Sequence, residues 1–193
     1  MMFLRLLAIT LVAAVFLVPV NTLAVEQSND SQLSTDQRLT NAVNDQHLTL
    51  DDATKALLNQ KCQVAQVNLQ KLQEKTDTIV ESRINTYTTF QKEQQAIKLR
   101  MARQGVDASE IDLLIGKLQQ GIDDLTLTAN NYGTTLRDVI TVDCIQKPEQ
   151  FQAGLVVLRS RQSQLLQSAN NLKKIMNDAN TSTFLQLKKR LTA

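Results

Sequence analysis

From Leu58 the chain repeats one apolar spacing: Leu58, Cys62, Ala65, Leu69, Leu72, Thr76 and Ile79 follow one another at intervals of 4-3-4-3-4-3. Gln, Lys, Asn and Glu fill most of the positions between them. On an α-helix these residues form a single stripe, a heptad seam, whereas on a strand they would scatter over both faces. The ladder therefore predicts a long helix over about 50–104. Thr49 is its expected N-cap, with Asp52 three residues on, and Gly105 its closing C′ residue. At 1.5 Å per residue such a rod is roughly 80 Å long. Past Ile79 the ladder takes a 4-4 step through Arg83 and resumes at Tyr87, Phe90, Gln94, Ile97 and Met101. That step is a stutter, which relaxes a left-handed supercoil, and Ile84 stands ready to take the inward position at Arg83.

Composition extends the helical reading to the rest of the chain. Five Gly, two Pro, no Trp and 4% aromatics are too few breakers and large rings for a sandwich or barrel. A second helix is expected over about 108–145, started by Asp107 with Glu110 as its box partner. Its seam is Ile111, Leu114, Leu118, Ile122, Leu125, Ala129, Tyr132, Leu136 and Val139. Gly116, Gly121 and Gly133 weaken it by about 1 kcal/mol each relative to Ala, and 130–133 is the expected kink. Pro148 suits N1 of a third helix over 148–179, with Phe151, Leu155, Leu158, Gln162, Leu165, Ala169 and Leu172 on its seam. Asn180 to Thr183 reads as a break before a short tail helix at 183–191.

Short connections make consecutive helices antiparallel. The expected fold is all-α: an elongated antiparallel three-helix bundle, a coiled-coil-like hairpin plus a third helix, occupying 49–193. Charge agrees with this pairing. Asp51 to Arg103 carries nine basic and six acidic residues, Asp107 to Asp143 two and seven, and Glu149 to Arg190 seven and two. An acidic middle helix between two basic neighbours favours this arrangement, although each exposed ion pair contributes only a few tenths of a kcal/mol. A hairpin turning near Gly105 also brings Cys62 and Cys144, the two cysteines, close to level at its open end. They are expected to form a disulfide.

The beginning of the chain bears on location. Met1 to Ala24 has one cation, Arg5, an apolar run from Leu6 to Val20 and a small-residue close at Thr22-Leu23-Ala24. This is the pattern of a secretory signal peptide, and the run falls short of the roughly 20 residues of a comfortable membrane span. Residues 25–48 read as a flexible polar leader with a short helical stretch from Thr35 to Val43 inside it. Sequons stand at Asn29 and Asn180.

No motif for catalysis emerges. The single histidine, His47, lies in the polar leader, and His-Glu-x-x-His, Gly-x-Ser-x-Gly, Cys-x-x-Cys and phosphate-loop patterns are all missing. Asp51-Asp52 reads as a helix start, where the dipole favours anions, and Asp123-Asp124 as a solvated face. No cofactor, metal or nucleic-acid partner is expected: the whole chain carries a net charge of only +2. Lys188, Lys189 and Arg190 near the end make a candidate contact for an anionic membrane or wall surface, against the plainer role of completing a helix C-terminus. The sequence thus predicts a secreted or periplasmic, non-enzymatic scaffold, spacer or protein-interaction module. A protein partner is expected, and a monomer is favoured over a homo-oligomer. A periplasmic holdase-type chaperone is the alternative. An efflux-adaptor hairpin fits only the first two helices.

Overall fold

A computed structural model describes residues 33–191, with the side chains of 180 and 182–191 left aside. The candidate signal peptide, the sequon at Asn29 and most of the leader before Ser34 lie outside the described residues. From Ser34 onward the chain forms one unit.

The described part is all-α, but it has four helices rather than three: α1 (Thr35–Asp45), α2 (Asp52–Arg103), α3 (Ser109–Thr141) and α4 (Pro148–Leu191). The fourth helix, α1, falls on the short helical stretch expected at Thr35–Val43 within the leader, but it packs as part of the bundle rather than standing apart from it. Its start is a full capping box, in which the Ser34 hydroxyl accepts from the Gln37 amide while the Gln37 side chain accepts from the Ser34 amide. α1 lies against α4. Leu39 and Ala42 supply its buried stripe, and Leu39 is only 3% exposed.

Polar ties also hold α1 in place. Arg38 donates from Nε to Asp138 Oδ2 at 2.7 Å and from a terminal nitrogen to Oδ1 at 2.6 Å. The Thr35 hydroxyl donates to the same carboxylate at 2.8 Å. Asp138 is buried on α3, so the fork-shaped guanidinium and the hydroxyl replace the water it has lost. Gln46 Nε2 donates to the Ala153 carbonyl, and Lys147 and Gln150 both reach Asp36.

α2 and α3 form the antiparallel hairpin. Their register is marked by Cys62 and Cys144 at one end, by Gln66 donating to the Ile140 and Val142 carbonyls, and by the Lys98–Asp112 ion pair near the turn. The turn itself is a Schellman motif: the Val106 amide bonds to the Met101 carbonyl and the Gly105 amide to Ala102. Gly105 sits at φ +69°, where a side chain would be strained. α2 is capped by Asp51, not Thr49, with the Asp51 carboxylate accepting from the Thr54 amide at 2.7 Å. α3 begins at Ser109 without a side-chain cap, and Asp107 instead turns the chain just ahead of it by accepting from the Ser109 amide.

The expected break at 180–183 is missing, and the stretch expected to kink lies inside a continuous helix. α3 runs unbroken through 130–133, and α4 continues through 180–183 to Leu191, merging the third and tail helices. Thr135 and Thr181 bond back to the carbonyls four residues earlier, which absorbs their hydroxyls inside the helix. Of the helical glycines, Gly121 and Gly154 mark close approach. A Cβ at Gly121 would stand 2.7 Å from Leu172 Cδ1, and one at Gly154 2.7 Å from Val139 Cγ2. Gly116 and Gly133 have open space around them.

The core has three clusters. At the base, Leu39, Cys62, Val139, Val142, Cys144 and Phe151 meet. Tyr132, Leu136 and Leu158 form the middle, and Tyr87, Leu118, Ile122, Leu125, Ala169 and Leu172 the upper cluster. α3 contributes to all three and packs extensively on both α2 and α4, whereas α2 and α4 come close at few backbone positions and meet mainly at the Lys55–Glu149 ion pair and around Leu69 and Leu155. That asymmetry creates the feature of greatest interest.

Candidate interaction surface

In a closed three-helix seam the α2 ladder would be covered by both neighbours. Here it splits. The Cys62, Gln66 and Tyr87 side of α2 turns to α3: Cys62 and Tyr87 are buried, and Gln66 bonds to α3 carbonyls. Residues 58, 65, 72 and 79, seven apart, lie on the flank of the ladder away from Gln66, which is the α4 side. Leu58 and Ala65 are half-buried, but Leu72 is 37% and Ile79 50% exposed.

α4 shows the matching half. Gly154 and Ile175 belong to the flank that touches α3 at Val139 and Gly121. Leu155, Leu166 and Met176 fall on the opposite flank, toward α2. Leu155 and Leu165 are half-buried beside Leu69, Met176 and Phe90 lean on the upper cluster, and Leu166 is 55% exposed. Between α2 and α4 there is thus an open groove with an apolar floor. Its base is tied by the Lys55–Glu149 ion pair at 2.9 Å.

Up to Arg83 the rim is cationic, whereas farther along Glu93 lines the space between Phe90 and Met176. Lys61, Lys75 and Arg83 alternate with the apolar residues of the α2 stripe, and Arg159 and Lys173 stand seven residues either side of Leu166 on α4. All five are exposed, and none has an ion-pair partner among the described residues. The α2 stripe through 58, 61, 65, 68, 72, 75, 79 and 83 contains no acid, and α4 has none between Glu149 and Asp178. Sequence reading placed Leu72 and Ile79 in a buried seam. It could not find the groove, because the heptad pattern does not state which of two neighbours comes close.

The other singled-out residues take structural places. Cys62 and Cys144 stand at disulfide distance, their Cα atoms 5.9 Å apart and their side chains in the basal cluster. His47 is exposed in the α1–α2 turn at φ 47°, the C′ place of a second Schellman pairing in which the Leu48 amide bonds to Val43. Asp51 caps α2, and the Thr54 hydrogen bonds hold its carboxyl below the usual carboxylate range. Asp123 accepts from Gln119 on an exposed face. The Lys55 ammonium lowers the pKa of Glu149, and Lys147 with Gln150 lowers that of Asp36. Burial raises the phenol pKa of Tyr132, against a smaller opposing effect from its hydrogen bond with Thr76. The backbone of Lys188, Lys189 and Arg190 continues α4, but their side chains lie outside the described residues.

Among the described residues no group of three or more His, Cys, Asp or Glu is placed to hold a metal ion. No described helix is long and apolar enough to cross a membrane. Comparison with protein-family models, curated proteins and solved structures finds no match to the chain.

Proposed function

We propose that this chain is a non-enzymatic helical interaction module working outside the cytoplasm, which presents the α2–α4 groove to a protein partner. One observation carries the reading: apolar residues on the facing flanks of α2 and α4, Leu72, Ile79 and Leu166, remain exposed where a self-sufficient bundle would cover them. The chemistry-bearing side chains give further support. Asp51, Asp138, Lys55 and Glu149 serve as caps or helix-to-helix ties, which is architectural work. Export is supported by the signal-like pattern of Met1–Ala24 together with a cysteine pair at disulfide distance.

A second reading, a holdase-type chaperone, is favoured by the apolar residues exposed away from the groove. Val64, Leu99 and Leu113 are 62%, 59% and 67% exposed. Crosslinking of the tagged protein in its own cells, followed by mass spectrometry, separates the two. The interaction module recovers one or two proteins in near-stoichiometric amounts. Many clients, each in small amount, would replace it with the chaperone.

A further inference from the structure

We propose that the partner enters the α2–α4 groove as an acidic amphipathic α-helix. Its apolar stripe would lie on Leu72, Ile79 and Leu166, and its carboxylates would face Lys75, Arg83, Arg159 and Lys173. The inference rests on the interaction-module reading and specifies the chemistry of its site.

Three observations select this occupant. The floor repeats every seven residues along α2, the period that an apolar stripe on another helix matches over its whole length. From Leu58 to Arg83 the α2 stripe extends for roughly 37 Å, the length of about 25 helical residues. The two facing stripes are positive: their five cations have no ion-pair partner among the described residues, the α2 stripe from Leu58 to Arg83 and α4 between Glu149 and Asp178 contain no acid, and Asp77 and Glu81 of α2 lie on its α3 side with Ala129 and Asn130. An acidic helix supplies the missing charges, whereas a basic or neutral one leaves them in repulsion or unanswered. A second copy docking groove to groove would set these cations against each other. The acidic helix within this chain, α3, is already engaged by both α2 and α4.

The test uses the full exported chain and two fluorescein-labelled peptides of about 25 residues. Both carry Leu at the a and d positions, with Glu at e and g in one and Lys in the other. Anisotropy titrations should show the Glu peptide binding at least about ten-fold more tightly, with the preference shrinking as salt is raised. Arg83→Glu combined with Arg159→Glu should remove that preference. Leu166→Asp should abolish binding, and Leu113→Asp, on the outward face of α3, should leave it unchanged. Circular dichroism confirms that each variant stays helical. Equal binding of both peptides, or binding that follows Leu113 instead of Leu166, overturns the proposal.

A photoreactive residue placed at Leu166 or at Leu113 in the exporting cell then separates this proposal from the reading beneath it. Crosslinks from Leu166 to an acidic helix of another protein support both. Protein crosslinks from Leu113 alone overturn the groove and leave the module standing. Crosslinks from Leu166 to residues 1–32 of the same chain, to a second copy or to lipid overturn the proposed occupant. No protein captured from either position overturns both.

Discussion

Reducing the Cys62–Cys144 pair should cost this fold a large share of its stability. The two residues are 82 apart in sequence, so the bond closes a loop containing most of α2 and all of α3. By the chain-entropy relation a loop of that length stabilises by about 4.5 kcal/mol, through restriction of the unfolded chain. Typical single domains have about 5–15 kcal/mol in total, so the loss would be conspicuous. The assay is urea denaturation followed by circular dichroism, after non-reducing mass mapping has shown the two cysteines joined. With an m-value of about 2 kcal/mol/M, reduction should lower the midpoint by roughly 2 M. The double variant Cys62→Ala/Cys144→Ala should fall somewhat further, because both side chains are buried in the basal cluster and Ala leaves voids there. Hydrogen exchange should show the deficit first around Leu39, Val139 and Phe151. Free thiols at both positions, or a midpoint unmoved by reductant, would rule out the staple.

Other consequences arise from the same structure. Asp138→Ala removes the acceptor for Arg38 and Thr35 and should destabilise by about 3 kcal/mol; adding Arg38→Met should recover part of this, because no guanidinium is then left without its carboxylate. Thermal melts of the single and double variants measure both effects. Gln94 is 5% exposed and its side-chain oxygen has no hydrogen-bond partner, so Gln94→Leu should raise the urea midpoint, by an amount equivalent to about 1 kcal/mol. The carboxyls of Asp36, Asp51 and Glu149 are lowered in the fold by Lys147, by the Thr54 hydrogen bonds and by Lys55. Their contribution is complete above the ordinary carboxylate range and disappears as the pH falls through their lower folded-state values. Urea midpoints measured from about pH 6 downward should decline in acid, and less so for Glu149→Gln.

Much of the architecture could be read from particular residues. The ladder from Leu58 to Ile79 defines α2, Gly105 marks its end because the Schellman turn needs a left-handed residue there, and Pro148 opens α4. From the turn at Gly105 the two cysteines are expected nearly level, and they stand at disulfide distance. The helical stretch of α1 was legible, but its docking was not, because that attachment is polar. The Ser34-x-x-Gln37 box was a usable signal for its start, but nothing local reveals that Arg38 meets Asp138 on a helix far along the chain. The expected break at 180–183 failed because weak helix formers were judged without the hydroxyl-to-carbonyl bond that accommodates Thr181. The groove was the least visible feature. Leu72 and Ile79 have the spacing of buried seam residues, and only the separation of α2 from α4 leaves them open.

Everything proposed for the groove depends on that separation, and hydroxyl-radical footprinting of the full chain probes it without any partner. Side-chain labelling should be fast at Leu72, Ile79 and Leu166 in the free protein, with Leu118, Leu136 and Leu172 protected. If Leu72, Ile79 and Leu166 label as slowly as those core leucines, α2 and α4 close on each other and there is no groove to occupy.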